Sequence, residues 1–142
     1  APCMAVMKAR IAKELGGFRG GDIYWEDWDF WIRVAETGAS FAFVQNVLLA
    51  YYRNTPDSRS SDAVRCFTKS LKTLERHRDS PLAGESVKRR SMAQYLRWIG
   101  KNSGDYQERL AALWRALCLD PFNGKNLYWF LIALIWPKRI KS

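Results

Sequence analysis

Trp25-Glu26-Asp27-Trp28-Asp29-Phe30-Trp31-Ile32-Arg33 is the stretch on which the reading of this chain turns. Three carboxylates fall within four residues, set among four aromatic rings. From Glu26 onward, Trp28, Trp31, Ile32 and Ala35 stand at i, i+3, i+4 and i+7, which predicts a helix with one apolar face. Gly38 is placed to end it. Glu26 and Asp27 then lie at the helix N-terminus, where backbone N–H groups are unpaired and the dipole favours negative charge. An ionised carboxylate in such a place is what a general base requires. The same two residues serve equally as ordinary helix caps, and composition alone favours that use. Asp29 and Arg33, at i and i+4, read as a surface ion pair.

Upstream, Cys3 to Met7 reads as a short strand feeding a short helix that ends at Gly16-Gly17. The glycines Gly16, Gly17, Gly20 and Gly21 follow a helix and lack both GxGxxG and a GK[ST] ending, so they form a loop and not a phosphate cradle. Downstream, Ser40 to Val44 and Val47 to Arg53 read as two strands turning at Gln45-Asn46. Asn54 to Ser60 is a polar loop.

From Ser61 the pattern is helical. One helix carries Val64, Phe67, Leu71 and Leu74. A second runs from about Gly84 to Ile99, with Val87, Ser91, Tyr95 and Trp98 inward and Gly100 as its end. A third opens with the capping box Asp105-Tyr106-Gln107-Glu108 and carries Leu110, Leu113, Trp114 and Leu117. The last two look like one tetratricopeptide-type hairpin, short of the roughly three repeats a solenoid needs. Leu127 to Trp136 is a run of ten apolar residues, followed after Pro137 by Lys138-Arg139-Ile140-Lys141. A bilayer span needs about 20. The run suits an interfacial helix, and equally a helix buried against its neighbours.

The 142 residues are 48 % hydrophobic and 26 % charged, an ordinary globular composition. The net charge of +9 favours an anionic partner: a phosphate-bearing ligand, a membrane surface or nucleic acid. No nucleic-acid motif or stacking platform is present, so specific nucleic-acid binding is not expected. Cys3, Cys66 and Cys118 are odd in number and far apart, which fits neither a disulfide framework nor a zinc site and suits a reducing compartment. His77 stands alone, without a convincing triad, and reads as a surface residue near a helix end. No secretory signal pattern is visible.

Four pieces, in order, resemble family 2 glycosyltransferases, the inverting enzymes of GT-A fold. Met4 to Leu15 with Gly16-Gly17-Phe18 is similar to the family's strand, short helix and Gly-Gly-Phe. Glu26 to Arg33 resembles its ED-x-D-[LF]-W-[LI]-R helix. Phe41 to Leu49 resembles the strand pair that follows, and Tyr52-Arg53 with Ser58 the end of its Y-R-x-H-x-x-S. Thr55 stands where the family often has His. The helical remainder resembles an extension many such enzymes carry, including Ala116-Leu117-Cys118-Leu119-Asp120-Pro121.

The resemblance implies an α+β, mostly helical fold: residues 1–60 as a partial GT-A-type remnant, the acceptor side of the catalytic domain, and 61–142 as a helical extension. It implies transfer of a hexosyl group from a nucleotide-sugar donor to a sugar or lipid-linked acceptor, in cell-surface polysaccharide or glycolipid synthesis. Asp27 would be the base, with Glu26 second. Trp25, Trp28 and Phe18 would wall the acceptor, and Arg53 would face the diphosphate. A divalent metal, Mg or Mn, is expected with its ligands mostly outside this chain. The family's donor-binding strands and Asp-x-Asp precede the matching region, so the resemblance implies a part of an enzyme, not a complete catalyst. The expected location is cytoplasmic, at the inner membrane face. The alternative is a non-catalytic helical module that binds a protein partner through the helices after Ser61.

Overall fold

The computed structural model describes residues 5–20, 25–42 and 63–136. Six helices form among them: α1 (Ala9–Glu14), α2 (Glu26–Glu36), α3 (Ala63–Arg76), α4 (Glu85–Asn102), α5 (Tyr106–Leu119) and α6 (Gly124–Ile135).

No strand forms among the described residues, which overturns the expected α/β remnant. Residues 5–7 and 40–42, the described parts of two expected strands, are irregular. A helix satisfies its N–H and C=O groups internally, whereas a strand needs a neighbour. None is offered to these segments among the described residues. Phe41 instead sets its ring edge-on to Trp31, with centres 6.5 Å apart. The expected strand from Val47 to Arg53 lies outside the described residues.

α1 is short because its helix-forming run meets two glycines. Gly16 and Gly17 take φ of 70° and 66°, a region that a Cβ disfavours. The Gly17 N–H donates to Ala12 O at 2.9 Å and the Gly16 N–H to Lys13 O at 3.1 Å. Those two bonds are the pair that defines a Schellman cap. α2 ends by its predicted stop, Gly38.

α4 packs against both α3 and α5, and α6 packs against α5. The core between them holds Leu71, Ala93, Leu96, Ile99, Ala112 and Ala116. Burying its leucines and isoleucine contributes about 1.5–3 kcal/mol each. The inward face of α4 differs from the expected one: Val87 and Trp98 are exposed, and Ala93, Leu96, Ile99 and Gly100 are buried. Gly100 does not end α4, which continues to Asn102. A Cβ at Gly100 would lie 2.6 Å from Leu113 Cγ and 3.1 Å from Arg109 O. Glycine is therefore needed there for close helix approach, not for a stop.

The α5 cap forms as its sequence predicts, with one addition. Asp105 Oδ1 accepts the Glu108 N–H at 2.7 Å. The Ser103 hydroxyl donates to the Glu108 carboxylate and accepts the Asp105 N–H, so Ser103 closes the box. α6 is held by Asn126, which is fully buried. Its amide donates to Ala116 O at 3.2 Å and Asp120 O at 2.9 Å, and its oxygen accepts from Arg97 at 2.6 Å.

Candidate active site

α2 divides the acidic stretch into two sets of residues. The expected apolar face, with Trp28, Trp31, Ile32 and Ala35, is not the buried one. Asp29, Phe30, Arg33 and Val34 are buried instead, and Trp28 is 51 % exposed. At 3.6 residues per turn the buried face lies about half a turn from the expected one, where Asp29 and Arg33 find polar partners inside.

Asp29 is the hub. Its Oδ2 accepts from Arg33 Nε at 3.0 Å. Its Oδ1 lies 2.9 Å from His77 Nε2, 3.6 Å from Arg76 Nη1 and 3.9 Å from Arg19 Nη1. Arg33 is only 6 % exposed. It donates through Nη1 to Leu15 O and through Nη2 to Gly17 O, both at 2.7 Å. The rigid guanidinium fork thus ties α2 to the end of α1. His77, just past α3, ties it to the helical core. The Asp29–Arg33 pair is therefore a buried junction and not the surface pair its spacing suggested. His77 is likewise not a surface residue: 9 % of its side chain is exposed.

Burial alone would raise the Asp29 carboxyl. The hydrogen bonds from His77 and Arg33, together with their charges, outweigh burial and hold it below its ordinary value. An ionised carboxylate only accepts hydrogen bonds, so Nε2 of His77 is the donor. The other ring nitrogen, Nδ1, lies 3.6 Å from Glu36 Oε1. Both nitrogens face carboxylates, so His77 links elements and offers neither nitrogen to a substrate.

Glu26 and Asp27 occupy the first turn of α2, partly buried. Trp25 is the N-cap residue and makes no side-chain cap bond; Asp27 Oδ1 accepts the Trp28 N–H at 2.9 Å. The Trp25 and Trp28 rings stand edge to face, 5.4 Å between centres. The Trp25 indole N–H is buried without an acceptor among the described residues. Phe18 is apart from this group. It packs on Phe30 at 4.6 Å, on the buried side of the helix. Arg53 lies outside the described residues.

The described residues contain no group of three or more His, Cys, Asp or Glu that could hold a metal ion. Asp27-Trp28-Asp29 does not supply a carboxylate pair, because Asp29 turns inward onto His77 and three arginines. The metal that the family resemblance implies was expected to take its ligands mostly from outside this chain, and no metal-binding group is present among the described residues.

Sequence reasoning did not foresee the hub. Asp29 and His77 are 48 residues apart, and Arg33 is 18 and 16 residues from its two carbonyls. The legible signal was an Asp and an Arg at i, i+4 inside an otherwise aromatic helix. Comparison with protein-family models, with curated proteins and with solved structures returned no match for this chain.

Proposed function

We propose that this chain is the acceptor side of an inverting glycosyltransferase, moving a hexosyl group from a nucleotide-diphosphate donor to an acceptor hydroxyl. The product class is cell-surface polysaccharide or glycolipid. Asp27 is the base, with Glu26 second. The observation that carries this reading is the division of the acidic stretch on α2. Asp29 and Arg33 are engaged inside by the hub, whereas Glu26 and Asp27 are partly buried in the first turn and Trp28 is 51 % exposed. The hub also joins Gly16-Gly17-Phe18 to this helix through Arg33 and Phe30, bringing together two of the pieces on which the resemblance rests.

In this reading Asp27 takes the proton of the acceptor hydroxyl as that oxygen attacks the anomeric carbon. The bond from that carbon to the diphosphate oxygen breaks, and the nucleoside diphosphate leaves with the electron pair. A single displacement inverts the centre and needs one base. The crossed Trp25 and Trp28 rings offer an aromatic wall for a sugar.

The test is Asp27→Asn in the native polypeptide that carries this sequence. Nucleoside diphosphate release is followed with UDP-, GDP- and dTDP-sugars, and donor binding is measured alongside. Transfer should fall by about 10²–10⁴-fold with donor binding retained. Turnover at the unmodified rate would remove Asp27 from the chemistry. The second reading, a helical protein-binding module, is favoured by the self-contained core of α3, α4 and α5. Under it, Asp27 is a cap and its substitution is silent.

A further inference from the structure

We propose that the outward face of α6 lies on an anionic lipid bilayer. This inference does not rest on the transferase reading.

From Leu127 to Ile135 the helix carries no charged residue. A helix apolar all round belongs inside a large core or in lipid. Here only one side is covered by protein. Asn126 and Ala133 are buried, and Phe130 meets Trp114 with ring centres 5.5 Å apart. The Lys101 ammonium lies over the Trp129 ring at 4.4 Å. On the other side Leu127, Tyr128, Leu131, Leu134 and Ile135 are 45 % to 74 % exposed. With 3.6 residues per turn these five span an arc of roughly 120°, opposite Asn126 and Ala133. Trp136 at the end of the helix and Phe122 in the turn before it are exposed as well. Apolar patches of this kind mark an interaction surface.

Charge selects the partner. After Asp120 the sequence has no acidic residue, while Lys125 stands at the start of α6 and Lys138, Arg139 and Lys141 follow it. A second copy would bring its own +9 to the contact, and like charges oppose pairing. An anionic bilayer supplies the opposite charge and an apolar interior together. Tyr128 and Trp136 are the ring types that settle at the headgroup level. The geometry is that of a helix in the plane of the interface. Twelve residues reach about 18 Å, against a hydrocarbon thickness of about 30 Å. No helix among the described residues is long and apolar enough to cross a membrane.

The test uses the full 142-residue chain in flotation with phosphatidylcholine vesicles, with and without phosphatidylglycerol. The expected result is binding that requires phosphatidylglycerol, weakens with salt and shifts tryptophan emission to the blue. Leu131→Gln with Ile135→Gln should weaken it about tenfold or more. Lys138→Gln with Arg139→Gln and Lys141→Gln should do the same. Circular dichroism checks that both variants keep their helix content. Three results would overturn the proposal. The unmodified chain could fail to float. The Leu131/Ile135 variant could bind as well as the original, leaving only surface charge. Sedimentation equilibrium could reveal a dimer that this variant breaks, with no vesicle binding, which would assign the face to a second copy.

Discussion

Asp29→Asn tests the structural part that the acidic stretch plays. The substitution keeps the shape of the side chain and removes its charge. Arg33, 6 % exposed, would then be a buried cation without its counter-charge. Removing one partner of a buried ion pair costs about 3–5 kcal/mol. Two features put this case near the lower end, at about 3 kcal/mol. Arg33 keeps its bonds to Leu15 O and Gly17 O. Arg76 and Arg19 are 43 % and 52 % exposed, so solvent already weakens their share of the pairing. The new amide also turns an N–H₂ donor toward a site lined by donors, which leaves polar groups unsatisfied. Urea unfolding followed by circular dichroism measures the loss, and hydrogen exchange in residues 26–36 locates it. Arg33→Met should be costly alone, and the double variant less costly than the sum by about 1–3 kcal/mol. Asp27→Asn, partly buried in the first turn, should change stability by less than about 1 kcal/mol. If Asp29→Asn stays within about 0.5 kcal/mol of the original and α2 amides keep their protection, the hub does not anchor the helix.

The same carboxylate sets an acid limit. Folded Asp29 titrates below its unfolded value, so the unfolded chain takes up the proton first as pH falls. Its contribution is complete well above about pH 3.9, the unfolded value, and is lost as pH drops through that value toward the folded one. Urea midpoints measured from neutral to acid pH should fall more steeply for the original chain than for Asp29→Asn; parallel curves would refute the assignment. Gly100→Ala should destabilise by about 1–3 kcal/mol through overpacking, despite the better helix propensity of alanine, because the added methyl meets Leu113 and the Arg109 carbonyl. Leu113→Ala should relieve part of that penalty in the double variant, and a rise in the thermal midpoint for Gly100→Ala alone would refute the close approach.

Features whose partners lie within one turn were legible from the sequence. The helix over Glu26–Glu36 with its glycine stop, the Gly16-Gly17 terminator of α1 and the Asp105 cap of α5 each depend on neighbours a few residues away. Helix faces were less legible. The pattern placed Val87 and Trp98 inward, yet both are exposed. Close packing of α4 on α5 sets the small residues Ala93, Gly100, Ala112 and Ala116 beside Leu96, Ile99 and Leu113, and hydrophobic periodicity does not weigh size against the gap to be filled. At residues 5–7 and 40–42 the expected strands did not form for a related reason. Alternating residues mark a strand only if another strand supplies its hydrogen bonds, and no stretch of local sequence states whether one is there.

By itself the sequence determined the glycine stops of α1 and α2, the Asp105 cap of α5, the strong positive charge and the apolar run that became α6. These follow from backbone propensity, capping and composition, all of them local quantities. Tertiary structure alone decided which carboxylate of the cluster is structural. Asp29 became the buried hub because folding brought His77, Arg76 and Arg19 to it across the chain, whereas Asp27 stayed partly buried in the first turn of α2. A buried charge is tolerated only where its partners converge, and that convergence exists only once the chain has folded.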